Sequence, residues 1–327
     1  MTNKAKSLWF SAIVLSAVCA SGAVHAQAYP SRAITVVVPY AAGGSTDVSA
    51  RALADEMSKS LGATVVVENK PGAGGFIAAT HVAKAPKDGY TLLYSNGGMT
   101  AINPNLYNKL PYSVSDFTPI SGVVKFPYTV NANNNIPVKT VAELVAYAKS
   151  KPEGVTIGTV GLGTQTHLVS EWLGRALGFK VNAIHYKGTS QSSIDLIAGR
   201  IDFMIDGLST AVTMHNADKL HIVASLGQER TSILPKGVET FTEAGHPELF
   251  SYADFGLMAP AGTPAEAIDK LHTAVVAALK SPSMVEKMEV RGEVAMPSAT
   301  PADYGKFIAA ETERWGAIIK PMGIKMD

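Results

Sequence analysis

The chain has 327 residues, of which 46% are hydrophobic and 17% are charged, and its formal net charge at pH 7 is +1. This length is enough for two domains, and the composition is typical of a globular protein and not of a disordered one. Because basic and acidic residues are nearly balanced, the sequence lacks the basic surface that a nucleic-acid-binding protein needs.

The N-terminus has the pattern of a secretory signal peptide. Lys4 and Lys6 precede a short apolar run over residues 8–20, and small residues suited to cleavage follow at residues 24–28. The apolar run is shorter than the roughly 20 residues that a membrane-spanning helix requires. We therefore predict that residues 1–26 are a signal peptide and that the mature protein is exported.

The single cysteine, Cys19, lies inside this segment. Lipoprotein attachment is an alternative, but Val18 is bulkier than the residue that usually precedes a lipidated cysteine. Cleavage leaves a mature chain with no cysteine, which excludes disulfides, thiol catalysis and cysteine-bound zinc. It also leaves 26 basic against 27 acidic residues, and so a formal charge of −1.

The mature chain begins with a predicted strand, a glycine turn and a helix. Residues 34–38 are largely β-branched, which is typical of a buried parallel strand, and Pro39 ends it. The turn and the helix start contain Tyr40, Gly43, Gly44, Ser45, Thr46 and Asp47. Such a turn presents backbone N–H groups beside about half a positive charge from the helix dipole, so it can hold an anion. An ordinary tight turn is the alternative.

The same order of elements then repeats. A strand at residues 64–67 precedes a glycine-rich turn and a helix from residue 76, and a third strand at residues 91–95 ends in Ser95 and Asn96. In open α/β sheets, ligands bind at the carboxyl ends of the strands. We therefore expect Ser95 and Asn96 to lie near a ligand site.

The second half of the chain has its own α/β pattern. An extended run at residues 120–133 precedes a strand at residues 156–160, and a turn and helix follow that contain Gly161, Gly163, Thr164 and His167. A second extended run covers residues 255–260. Because two extended runs bracket the middle of the chain, we predict one lobe from residues 28–123 plus 254–327 and a second, inserted lobe at residues 124–253, with a cleft between them.

Catalytic and metal sites have weak support. No Gly-x-Ser-x-Gly occurs, so an exported serine hydrolase using Ser45, Asp47 and His167 is only an alternative. His167 and Glu171 have metal-ligand spacing on a helix, but no second histidine partner follows, so no metal is predicted. Asp206 ends an apolar strand at the ligand edge of the sheet, or else caps the next helix.

Several stretches together carry a family resemblance. They are Tyr29 to Arg32, Val37 to Asp47, Val66 to Gly75, Ala83 to Leu93, Ile102 to Pro104 with Leu106-Tyr107, Tyr186-Lys187-Gly188 and Phe255 to Pro264. Over nearly the whole mature chain these stretches resemble Bug-type receptors, the substrate-binding proteins of tripartite tricarboxylate transporters.

The resemblance implies a two-lobed α/β fold of the type II, or Venus-flytrap, periplasmic binding proteins. It implies a periplasmic receptor that captures a small carboxylate and delivers it to membrane transporter subunits, with no cofactor, no metal and no catalytic residues; we expect a monomer. The ligand residues that it implies are Tyr40, Gly43, Gly44, Ser45, Thr46 and Asp47 on one wall, Gly161, Gly163, Thr164 and His167 on the other, and Asp206. Ser95, Asn96 and Tyr186 complete the predicted site.

Two points depart from the family pattern or stay open. His185 stands where proline is common, and Ala253-Asp254 replaces a more usual aromatic residue or serine, so the hinge and the distal pocket are expected to differ. A tricarboxylate, a C4 dicarboxylate, an amino acid and an aromatic acid all remain candidate ligands. A sensor for a signalling partner and a structural or adhesive surface protein are alternative functions.

Overall fold

The computed structural model describes residues 29–43 and 45–327. The predicted signal peptide and Gly44 lie outside the described residues, as does the side chain of Ser45. Residues 29–31 lie outside the unit formed by Arg32–Asp327. The fold described below is that of this unit.

Strands and helices alternate along most of the chain. The strands are β1 (Ile34–Val38), β2 (Val65–Asn69), β3 (Thr91–Asn96), β4 (Phe117–Ala132), β5 (Val155–Thr159), β6 (Val181–His185), β7 (Phe203–Gly207), β8 (His221–Ser225), β9 (Glu239–Thr240), β10 (Tyr252–Pro260) and β11 (Val294–Ala295). The α-helices are α1 (Ser45–Leu61), α2 (Phe76–Ala83), α3 (Asn103–Leu106), α4 (Val141–Lys149), α5 (Gln165–Leu177), α6 (Thr189–Ile197), α7 (Leu208–Asn216), α8 (Ala265–Leu279), α9 (Pro282–Arg291) and α10 (Pro301–Ile319).

The strands form one continuous sheet with two parallel groups. Its order is β2-β1-β3-β10-β4-β7-β5-β6, with β11 and β8 also paired to β4 and β9 paired to β8. In the first group β1 runs parallel to β2 and β3, and in the second β5 runs parallel to β6 and β7. The antiparallel strands β10 and β4 lie between the two groups.

The long strand β4 joins the two groups. Its residues from Phe117 to Pro127 pair with β10, and those from Tyr128 to Ala132 pair with β7. The extended run predicted from the sequence at residues 120–133 lies mostly within this strand. The second predicted run, at residues 255–260, belongs to β10, which begins earlier, at Tyr252.

Each group of strands packs into its own apolar core. Val37, Leu93 and Met258 are buried on the first side, whereas Ile157 and Phe203 are buried on the second. Helix α10 contributes to both cores, through Tyr304 and Ile308 in the first and through Trp315 and Ile319 in the second. Within the part of the chain that the structure describes, every helix is too short or too polar to span a lipid bilayer.

Candidate functional site

Two adjoining cavities, with volumes of about 270 Å³ and 480 Å³, lie where the two strand groups meet β4 and β10. Six residues line both of them: Tyr40, Tyr128, Val160, Thr166, Ala253 and Phe255. The two cavities are therefore parts of a single cleft.

The turn between β1 and α1 forms the first wall. Tyr40, Ala41, Ala42 and Thr46 line the larger cavity. The hydroxyl of Tyr40 accepts a hydrogen bond from the side-chain amide of Asn96, at the end of β3, over 2.7 Å. This bond joins the ends of two parallel strands at the cleft.

The turn between β5 and α5 forms the opposite wall. Gly163, Thr164, Gln165 and Thr166 line the smaller cavity. The Thr164 hydroxyl donates to the carbonyl of Gly161 over 2.7 Å, and the Thr166 hydroxyl accepts from the backbone N–H of Val160 over 3.0 Å. These bonds fix the turn from within. Because both turns begin helices, each brings about half a positive charge to the same cleft.

Two buried aspartate side chains lie in the cleft, one in each cavity. Asp206 lines the larger cavity and Asp254 the smaller, and each is only 7% exposed. Oδ1 of Asp206 accepts a hydrogen bond from the Thr189 hydroxyl over 3.2 Å, whereas its Oδ2 has no hydrogen-bond partner among residues 29–43 and 45–327. Burial raises the pKa of Asp206 to about 7. Burial, with repulsion from Glu311, also raises the pKa of Asp254 to about 7.

Four aromatic rings line the larger cavity: Tyr40, Phe126, Tyr128 and Phe255. The Phe126 ring lies 6.0 Å from that of Phe255 and 6.5 Å from that of Tyr128, measured between centroids. Burial raises the pKa of Tyr128, so its hydroxyl stays protonated at neutral pH. The rings give the cleft apolar walls with a few polar groups between them, as is usual for small-molecule sites.

Cations are scarce among the described residues of the cleft. Only Lys187 and Arg291 line it, both in the larger cavity. Lys187 is exposed to solvent, and Arg291 forms a 2.7 Å ion pair with the buried carboxylate of Glu293. An anion in the smaller cavity would therefore depend on backbone N–H groups and hydroxyls.

Three predicted site residues near the first wall do not line the cleft. The buried carboxylate of Asp47 accepts hydrogen bonds from the backbone N–H of Gly43 over 2.9 Å and from the Asn69 side chain over 2.8 Å. The adjacent guanidinium of Arg51 lowers the Asp47 pKa to about 2. Ser95 is buried and donates to the carbonyl of Gly256 over 3.1 Å. Gly43, Asp47 and Ser95 thus hold the wall in place and do not face the cleft.

Three predicted residues behind the second wall have similar structural roles. Nδ1 of His167 accepts a hydrogen bond from the backbone N–H of Gly163 over 3.1 Å, and burial lowers the His167 pKa to about 4. The carbonyl of Gly161 accepts a hydrogen bond from the Thr164 hydroxyl, and the Tyr186 hydroxyl donates one to the Asp195 carboxylate over 2.8 Å. Gly161, His167 and Tyr186 are therefore outside the cavity walls. The predicted site residues that do line the cavities are Tyr40, Thr46, Asn96, Gly163, Thr164 and Asp206.

The geometry does not assemble the alternative chemistries. Asp47 and His167 each bond to their own turn, so the arrangement of a serine hydrolase is not formed. Among residues 29–43 and 45–327, no group of three or more histidine, cysteine, aspartate or glutamate side chains could hold a metal ion.

Several wall residues were not among those predicted. Phe126, Asp254 and Phe255 lie on β4 and β10, in the middle of the sheet. Phe126 and Tyr128 are two apart on one strand and so share a face, which is the only sequence signal that relates them. The sequence distinguished Asp254 only as a departure from the family pattern and not as a ligand residue.

Comparisons with known proteins agree with this architecture. Residues 49–324 match the family described as "Tripartite tricarboxylate transporter family receptor". BugT of Bordetella pertussis is 35% identical over 305 residues, which cover 93% of this chain and 93% of BugT. The solved structure of R. palustris Rpa4515 with adipate is 34% identical, with a TM-score of 0.82, and covers 91% of this chain and 99% of that chain.

A second solved relative is MatC of Rhodopseudomonas palustris with bound malate. It is 32% identical, has a TM-score of 0.78, and covers 89% of this chain and 100% of that chain. The likeness to solved periplasmic binding proteins confirms the predicted two-lobed α/β fold. The chain belongs to the tripartite tricarboxylate transporter receptors of the Bug type, which are solute-binding proteins and not enzymes.

Proposed function

We propose that this chain captures a small organic carboxylate in the cleft and delivers it to a membrane transporter of the tripartite tricarboxylate type. The observation that carries the proposal is that two helix-starting turns, from different parts of the sheet, line one cleft with few cations. Backbone N–H groups and hydroxyls can bind a carboxylate there without a dedicated arginine. Solved relatives with adipate and malate support the same ligand class.

In this proposal the direct contacts are made by Tyr40, Thr46, Asn96, Gly163, Thr164 and Asp206, together with Gly44 and Ser45 of the first turn. Six other residues position the turns and strand ends without touching the ligand: Gly43, Asp47, Ser95, Gly161, His167 and Tyr186. We further propose lobes of residues 28–123 plus 254–327 and residues 124–253, a signal peptide of residues 1–26, a periplasmic location and a monomeric state.

Closure of the two lobes follows from the same contacts. A carboxylate that touches both turns gains its full set of hydrogen bonds only when the lobes are together. The ligand therefore shifts the population toward the closed form through contacts that the open form lacks. No covalent step is involved.

A thermal-shift panel of carboxylic acids on the purified mature protein tests the proposal. A ligand that binds only the folded state adds roughly 2.7 kcal/mol to the free energy of unfolding at 100 times its dissociation constant. We expect at least one acid to raise the melting temperature saturably, and its neutral amide to have no effect. A panel in which no acid raises the melting temperature would contradict the proposal.

A further inference from the structure

The charges of the cleft do not match a ligand that carries only carboxylates. Its ionisable acids are Asp206, Asp254 and Glu293, and of these only Glu293 has an ion-pair partner among the described residues. A second carboxylate on the ligand would be placed near Asp206 or Asp254, and either group would repel it when ionised.

Two side chains that line the larger cavity each have a buried polar atom without a hydrogen-bond partner among the described residues. One is an acceptor, Oδ2 of Asp206, and the other is a donor, Nε of Arg291. Leaving such groups buried and unpaired costs free energy. An ammonium group has three donors and no acceptor, so it can satisfy the unpaired acceptor of Asp206.

The aromatic rings around Asp206 also favour a cation. Tyr40, Phe126, Tyr128 and Phe255 line the same cavity as Asp206. The face of an aromatic ring attracts an ammonium group electrostatically, and the attraction grows when water is excluded. Rings and a buried carboxyl group in one cavity are thus complementary to a positive charge and not to a second negative one.

On the basis of the proposed function, we propose that the solute carries a primary ammonium group as well as its carboxylate, and that Asp206 accepts hydrogen bonds from this ammonium. The two turns hold the carboxylate at the other end of the ligand. The ligand class is therefore an aminocarboxylate.

Calorimetric titration with matched ligands tests this assignment. The three series are aminocarboxylates, dicarboxylates and monocarboxylates with the same number of chain atoms. We expect the best aminocarboxylate to bind the wild-type protein at least about tenfold more tightly than the dicarboxylate of equal length, since it gains a charge-assisted hydrogen bond.

The variant Asp206→Asn should remove most of this preference by weakening aminocarboxylate binding about tenfold or more. Asp269→Asn, on the exposed face of α8, is the control and should bind like the wild type. Circular dichroism checks that each variant is folded.

The outcomes separate the two proposals. Equal or tighter binding of dicarboxylates by the wild-type protein would overturn the ammonium site while leaving a carboxylate receptor. An Asp206→Asn variant that keeps the full preference for aminocarboxylates would overturn the role of Asp206. If no acid of any series binds, it is the proposed function that fails.

Discussion

Two buried aspartates of the cleft, Asp206 and Asp254, contribute to the pH dependence of the free energy of unfolding. In the folded protein, burial raises the pKa of both Asp206 and Asp254 from the ordinary 3.8 to about 7. The charged groups nearest to Asp254 are Glu311, which adds to the rise, and Arg314 and Lys125, which oppose it. The folded state therefore binds protons that the unfolded chain has released above about pH 4.

This pKa difference predicts that the stabilisation from Asp206 and Asp254 is complete below about pH 4 and is lost as the pH rises through about 7. Each unit of difference between the folded and unfolded pKa corresponds to about 1.4 kcal/mol. Urea denaturation of the ligand-free protein between about pH 5 and pH 8 measures the effect. The double variant with Asp206→Asn and Asp254→Asn should lose less stability across this range than the wild type.

Identical pH dependence in the wild type and the double variant would contradict the raised pKa values. Asp269→Asn serves again as the control, because Asp269 is exposed on α8 and its replacement leaves the cleft unchanged.

At the scale of elements, the turn between β1 and α1 depends on one carboxylate. Asp47, in the first turn of α1, accepts hydrogen bonds from Gly43, from Arg51 and from Asn69 at the end of β2. It thereby ties the turn, the helix and the neighbouring strand together.

Replacement of this carboxylate tests its role in positioning the wall. Asp47→Ala should lower the free energy of unfolding by about 1–3 kcal/mol, because it leaves several donors unpaired, and should also weaken carboxylate binding. Asp55→Ala, an exposed position on the same helix, is the matched control. Urea denaturation and calorimetric titration measure the two effects. Equal behaviour of the two variants would show that the Asp47 contacts are dispensable.

Much of the fold could be predicted because its signals are local. The capping box of Thr140 and Glu143, a pattern of two residues three apart, begins α4, and Gly178 ends α5 in the left-handed conformation. The β-branched run of β1 also forms the expected strand, parallel to β2 and β3. Caps and periodicity depend on neighbours within a few residues, so a single sequence contains them.

The candidate site could be predicted only in part. The two turns were identified because they follow strands, but Asp47 and His167 bond to backbone groups of their own turns instead of facing the cleft. Short polar side chains at a helix start can do either, and the sequence alone does not decide. Asp254 and Phe255 reach the cleft because β10 pairs with β3 and β4, and this pairing of distant strands is not contained in the local sequence.

At the scale of the whole molecule, β4 and α10 connect the two halves on either side of the cleft. β4 pairs with β10 through its first part and with β7 through its last, while α10 contributes to both apolar cores. Any motion that opens the cleft must bend or slide these two elements. A ligand that contacts both turns opposes that motion, which couples solute capture to a change in shape that a membrane partner can detect.

A crystal structure of the mature protein with the acid that gives the largest thermal shift tests the central claim most directly. The account predicts that a carboxylate of the ligand lies in the cleft and accepts hydrogen bonds from the turn at residues 40–46 and from the turn at residues 160–166. Density for the acid on an outer surface, or contacts with only one of the two turns, would contradict it.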